Sequence, residues 1–443
     1  MSTSYLVLAA LLGLAVPGTE PASDDAADPP PATDEPRFAA HGQVAWLSAV
    51  RGLVPRDTAV NPRNTALALP QAFGESELRP DLRLEYGSML SFVARPRLVA
   101  SVGRAKLDGA WKRQVSNAEL EWLDLYGTWR LDDAVSVSYG RQNFQWGPAE
   151  LASPSNRIFH ESGFLRDPLY RVVGKDLARV NLSLGRAWSA VVLAEVADNG
   201  ERFVAGEPFE PKGQLKVEYA AAGGAANVGL TVGAARSSRT WFGEYATLPL
   251  AGGLSAYADA SHGNAAHVWY PVDLGGGRTN YEQARLHDDR LRTRAVVGLR
   301  YDFERGDIVR VEAVYDEDGY SRTELELAAK MQAAPAAPYF GGLGSGAPQP
   351  PPYALPGLEF LGQRLVYLSL HLPDLPPTKR LSAELRYLYS VTDGSGAMFV
   401  NANLAASDAT IVFVSATAPH GRAWAELSRQ ARGALVLGAT HTW

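Results

Sequence analysis

Residues 293–317 read TRAVVGLRYDFERGDIVRVEAVYDE, and their alternation decides the fold. Ala295, Val297, Leu299, Tyr301 and Phe303 share one face, while Arg294, Arg300, Asp302 and Glu304 share the other. Arg305-Gly306 makes a tight turn, after which Val309, Val311, Ala313 and Tyr315 alternate against Arg310, Glu312 and Asp316. Successive side chains of a strand point to opposite faces, so the stretch is a hairpin with one apolar and one charged face. The grammar recurs in 380–391, where Leu381, Ala383, Leu385, Tyr387, Tyr389 and Val391 oppose Arg380, Ser382, Glu384 and Arg386. It recurs again in 179–184, 215–219 and 82–86.

Extended along the chain, the pattern predicts eighteen strands between residues 39 and 443, one of them over 134–147. The gaps alternate in length. Long connections fall at 52–79, 106–116, 148–176, 263–292 and 318–362, and short ones at 88, 131–133, 185–187, 305–306 and 373–379. Supposed long loops are brief at 237–239 and 392–396. An up-and-down outer-membrane barrel produces this rule, because its periplasmic turns are short, its outer loops long, and its strands apolar outward and polar inward. A soluble β-sandwich needs a second apolar layer, and the charged faces here cannot supply one. The fold class expected is therefore all-β, a transmembrane antiparallel barrel with a long loop folded inward. Both termini face the periplasm.

Composition narrows the chemistry. The chain has no cysteine, which excludes a disulfide framework, a Cys-ligated metal and a thiol nucleophile. Ten Trp, 18 Tyr and 14 Phe suit interfacial girdles. Residues 19–36 hold six acids and no base, so the remainder balances at 42 acids against 42 bases. No basic excess marks a nucleic-acid partner. Residues 6–16 (LVLAALLGLAV) are too short to span a bilayer and fit a secretory signal, giving 1–18 as signal peptide. The acidic, Pro-rich 19–37 reads as a disordered tether, and 38–443 as the barrel.

The last strand, RGALVLGATHTW, carries Leu435, Leu437, Ala439 and Trp443 in one phase. It resembles the C-terminal aromatic signature of Gram-negative outer-membrane proteins, which implies handling by the barrel-assembly machinery through Trp443. The stretch GRQNFQWGPAELASPSNRIFH, residues 140–160, resembles porin-like barrels of the alginate-export type in its GRQ…WG run and capsule-assembly barrels in its WGP…SN spacing. Either family implies eighteen strands, and neither lends a substrate.

Unbroken alternation past Tyr139 would put Arg141 and Asn143 in lipid, at a cost that favours a bulge at Gly140. The bulge would return Arg141 and Asn143 to the lumen and bring Trp146 to the interfacial girdle. The alternative for Trp146 is a platform for a sugar ring. The segment 148–176 mixes Arg157, His160, Arg166 and Arg171 with many apolar residues, and is expected to fold inward as a constriction followed by Arg179. The lumen wall is expected to carry Arg83, Lys216, Arg300, Arg310 and Arg386 against Glu85, Glu218, Asp302, Glu312 and Glu384. These charges of mixed sign can pair with one another across strands. Asp316 and Asp318 read as solvated polar residues.

No GxSxG, HExxH, P-loop or dinucleotide fingerprint stands in context, so no enzyme, cofactor or metal is expected. The reading is an outer-membrane channel for passive diffusion of small hydrophilic solutes. Its alternative is a saccharide-binding or polysaccharide-export barrel.

Overall fold

The structure is a computed structural model that describes residues 37–58, 61–65, 67–159, 163–164, 166, 168–198, 209–221, 226–236, 239–276, 278–333 and 360–443. The expected signal peptide, all but Arg37 of the tether, and His160 lie outside the described residues.

Strands β1 (Phe38–Pro55), β2 (Ala72–Tyr86), β3 (Leu90–Leu107) and β4 (Ala110–Arg130) are the long ones. β5 (Val135–Gln142), β6 (Lys175–Leu184), β7 (Trp188–Ala197), β8 (Lys212–Ala220) and β9 (Asn227–Ala235) are short. β10 (Thr240–Ala251), β11 (Leu254–Gly263), β14 (Arg292–Asp302) and β15 (Ile308–Asp316) follow. The wall ends with β16 (Arg364–Leu375), β17 (Leu381–Ser390), β18 (Gly396–Ala405), β19 (Thr410–His420) and β20 (Ala431–Thr442). Each pairs antiparallel with its neighbours in sequence, β11 meets β14, and β1 meets β20 to close an eighteen-stranded ring. Closure leaves no edge for lipid to meet, as a membrane barrel requires.

The register places the faces as the alternation demands. Leu299, Tyr301, Val311 and Leu385 are exposed on the outer surface, and Tyr387 joins them, bonded to His420. Leu435, Leu437 and Trp443 are likewise exposed.

Several connections differ from expectation, each for a local reason. The 106–116 loop is a two-residue turn, Asp108-Gly109, with φ of 49° and 80°. Positive φ at both central residues is the type I′ geometry that matches strand twist, so β3 and β4 continue to the tip. The 52–79 loop shrinks to 56–71 as β1 and β2 lengthen. Within 263–292 lies a separate hairpin of β12 (Tyr270–Gly275) and β13 (Arg278–Glu282). The 318–362 loop opens with helix α1 (Arg322–Ala333). Ser321 Oγ accepts the Glu324 N–H while Glu324 accepts the Ser321 N–H, a reciprocal cap for a helix start.

At Gly140 the expected bulge is absent, since β5 pairs with β4 and β6 without a register shift. Gly140 instead has φ 123°, and a Cβ there would lie 2.3 Å from the Leu125 carbonyl oxygen. β5 stops at Gln142, well before residue 147.

Candidate functional site: a segment pinned across the lumen

The chain leaves β5 after Gln142 and rejoins the wall at Lys175, and the described residues between them pack against the inner face of the wall. Their apolar side chains touch the wall in three sectors. Trp146, Ile158 and Phe159 pack on Leu177, Val191, Leu193 and Tyr245 of β6, β7 and β10. Leu151, Ala152 and Phe164 pack on Val296, Val314, Tyr367, Leu388 and Phe399 of β14 to β18. Leu169 rests against Leu47, Ala49, Phe413 and Val436 of β1, β19 and β20. A segment this apolar gains from burial that it would forgo in water.

Three wall carboxylates hold the segment between those contacts, two through its backbone and one through a side chain. Glu312 on β15 is fully buried. It accepts the N–H groups of Glu150 at 2.6 Å and Leu151 at 2.9 Å and the Tyr257 hydroxyl at 2.7 Å. Asp259 on β11, also fully buried, accepts the Ser155 N–H at 2.7 Å and the Ser153 hydroxyl at 2.8 Å. Gly147 makes room for it: φ is 97°, and a Cβ would stand 2.2 Å from Asp259 Oδ2. Glu77 on β2 takes Arg171 of the segment at 2.7 Å, together with Arg79 at 2.6 Å and Arg97 at 2.7 Å. Buried carboxylates persist where donors replace lost water, and each of these has at least two.

Among the described residues of the segment, Glu150 answers with a carboxylate of its own. Glu150 accepts the Tyr367 hydroxyl at 2.9 Å and the Ser369 hydroxyl at 3.1 Å, and pairs with Arg310 at 3.3 Å and Arg386 at 3.6 Å. Arg386 also donates to the Arg166 carbonyl at 3.2 Å and pairs with Glu384. A cavity of about 220 Å³ lies within the segment, lined by Gln145, Trp146, Glu150, Ser153, Asn156 and Arg166. Higher up, Arg157 lies 5.9 Å over the Trp241 ring; burial, then the nearby Arg294 guanidinium, lowers its proton affinity.

The expected site residues divide by place. Arg157, Arg166 and Arg171 belong to the inward segment, and Arg179 stacks 4.4 Å over Phe144 at its foot. Arg83 with Glu85 at 4.0 Å, Lys216 with Glu218 at 2.8 Å, Arg300 with Asp302 at 2.7 Å, and Arg386 with Glu384 pair along their own strands. Arg310 and Glu312 turn to Glu150 and its backbone instead. Three placements are corrected. Without a bulge, Arg141 stays in phase with exposed Tyr139 on the outer side, where a two-pronged pair with Asp176, both contacts 3.0 Å, neutralises it. Asn143 lies beyond the strand, exposed, with its N–H on Asp124 at 3.0 Å. Trp146 does not stand in a girdle: it is buried in the packing of the segment and also lines the cavity.

Asp316 and Asp318 are not solvated. Both are buried, and Arg294 bonds them at 3.1 and 2.8 Å. They support an outer layer in which Leu325 and Ala328 of α1 pack on Val268, Tyr270 and Leu361. Glu426 in the last outer connection accepts the N–H groups of Leu361 and Gly362. Burial first, then Asp393, pushes its carboxyl up to about 7.

Glu77, Asp259 and the arginines Arg79, Arg95 and Arg97 were missed in the sequence. For Glu77 and the three arginines the signal was a charged run at odd positions of β2 and β3 (Glu75, Glu77, Arg79, Asp81; Arg95, Arg97), in β2 the same phase as Arg83 and Glu85; Asp259 stands alone among small and apolar residues in β11. Among the described residues no group of three His, Cys, Asp or Glu side chains is placed to hold a metal ion.

No family model matches the chain, and no curated protein does. Solved structures do. The outer membrane protein OprD from Pseudomonas aeruginosa superposes with a TM-score of 0.52 at 10% identity, over 91% of this chain and 94% of that one. OccAB1 from Acinetobacter baumannii gives 0.51 at 11% identity, over 91% and 96%. OccK7 (OpdD) from P. aeruginosa gives 0.52 at 10% identity, over 92% and 98%. At such identities the likeness is one of fold.

Proposed function

We propose that the protein is an outer-membrane channel of a Gram-negative bacterium, for passive diffusion of small hydrophilic solutes, narrowed by residues 143–174. The observation that carries this is the anchoring of one segment to Glu312, Asp259 and Glu77 on separate sectors of the wall. A segment held in this way narrows the lumen without sealing it by a folded domain, and its polar cavity offers both signs of charge. The paired wall charges present no field of a single sign, which suits neutral or zwitterionic solutes. Arg166 and Glu150 line the passage, with Arg157 and Arg171 at its margins. The exposed Trp443 serves recognition by the barrel-assembly machinery, and residues 1–18 and 19–37 act as leader and tether.

The finer likeness to alginate-export or capsule-assembly barrels rests on the 140–160 motif. Its main aromatic, Trp146, is occupied in packing, which favours the channel over a sugar platform. Liposome swelling tests the choice. Vesicles carrying the protein should swell in a neutral monosaccharide and progressively less in longer oligosaccharides. No swelling above empty vesicles, with retention of the protein on a polysaccharide column, would transfer the assignment to the saccharide-binding reading.

A further inference from the structure

The wall is uneven in height. β4 pairs with β5 only from Leu125 onward, whereas β3 and β4 stay paired to Leu107 and Ala110. On the outer face of β3 the apolar residues Leu90, Phe92, Leu98 and Val102 are exposed in turn, and the next outward positions are Arg104 and Lys106. Arg104 is about 33 Å above Leu90 along the membrane normal, for a rise of 3.3 Å per residue and a tilt near 45°. The apolar band of such barrels is about 25 Å tall. Arg104 and Lys106 therefore stand just beyond hydrocarbon, at the level of headgroups. Trp111 is opposite Lys106, and Lys112 is the extra residue at the register shift beside it.

We infer that this patch binds the phosphorylated headgroup of an outer-leaflet lipid. Arg104, Lys106 and Lys112 make no ion pair within 4.0 Å among the described residues; Lys112 feels Asp108 only at longer range, and the nearby acids have closer partners. Asp108 holds Arg63 at 2.8 Å, Asp57 accepts the Arg63 N–H at 2.9 Å, and Glu75 and Glu77 face inward onto Arg97. Beside the cations lies a shelf of small outward residues. Gly52 pairs with Ala72, which pairs with Arg104, and Gly74 pairs with Val102. Neither glycine is required by the backbone: a Cβ at Gly52 would meet nothing within 4 Å, and one at Gly74 only Val102 at 3.8 Å. The shelf thus gives a lipid open access beside three positive charges that no close ion pair holds, with the exposed Val50, Val54 and Trp111 around it.

The inference needs the barrel in a membrane and is independent of conduction, so a silent channel would leave it standing. The probe is a bis-phosphorylated acylated disaccharide lipid, titrated onto the full barrel in neutral detergent and read by native mass spectrometry. Each surface cation contributes roughly a fivefold gain in affinity for an anionic lipid. Arg104→Ala/Lys106→Ala/Lys112→Ala should therefore bind on the order of a hundredfold more weakly, and the dephosphorylated lipid should bind wild type equally weakly. The charge-keeping variant Arg104→Lys/Lys106→Arg/Lys112→Arg should bind as wild type does. Undiminished binding by the alanine variant, or loss in the charge-keeping variant, would overturn the assignment. Displacement of the lipid by millimolar inorganic phosphate would overturn the lipid in favour of a free anion.

Discussion

Replacing Glu312 by Gln should release the start of the inward segment while leaving the barrel closed. One carboxylate oxygen accepts the Glu150 N–H and the Tyr257 hydroxyl, and the other accepts the Leu151 N–H. A glutamine carbonyl can retain the first pair, but its NH₂ then confronts the Leu151 N–H, donor against donor. The loss is one hydrogen bond to a charged acceptor plus an unsatisfied buried N–H, together about 3 kcal/mol, or roughly a hundredfold in local opening. The chain contains no cysteine, so Ala152→Cys, at a position only 2% exposed, is a clean reporter. Its maleimide labelling rate should rise on the order of a hundredfold in the Glu312→Gln background. An unchanged rate in a variant that keeps heat-modifiable migration would refute the role given to Glu312.

Gly147→Ala forces a Cβ into the space of Asp259 Oδ2 and Ser153 Oγ at a φ that L residues avoid; the same labelling assay should report opening worth about 1–3 kcal/mol, and normal protection would contradict the packing. Leu299→Arg places a charge on the lipid face and should destabilise the barrel by about 2–4 kcal/mol in urea titrations in vesicles, whereas a shift near zero would mean that the face is misassigned. Glu426 has a folded pKa near 7, above its ordinary value, so its proton favours the folded state. The dock it makes with Leu361 and Gly362 should be strongest below the ordinary carboxylate range and weaken as pH rises through about 7. Hydrogen exchange at those two amides should follow that course and lose it in Glu426→Gln.

Much of the fold was legible because a membrane wall imposes a strict period of two, and Leu299, Tyr301, Val311, Leu385 and Tyr387 obey it. The turn at Asp108-Gly109 and the cap at Ser321–Glu324 were also written in the chain, as a hairpin dipeptide and a capping box, but both were subsumed under a rule that outer connections are loops. The site was less legible. That residues 148–176 fold inward follows from their apolar content, yet which wall groups receive them is a matter of register between residues far apart: 162 positions separate Glu150 from Glu312 and 94 separate Arg171 from Glu77. Local alternation cannot distinguish a wall carboxylate that pairs with its own strand, such as Glu218 or Glu384, from one that seizes a crossing backbone, such as Glu312 or Asp259. The outward place of Arg141 was illegible for the same reason: the partner that offsets its charge there, Asp176, is one strand away and 35 residues on.

If residues 143–174 narrow the lumen as proposed, they set the conductance of the barrel. Single-channel recording in planar bilayers tests it directly, comparing the wild type with a deletion of residues 153–170. Discrete ohmic steps are expected for the wild type, and larger, less selective steps for the deletion. Equal step sizes from a deletion variant that is correctly folded would contradict it.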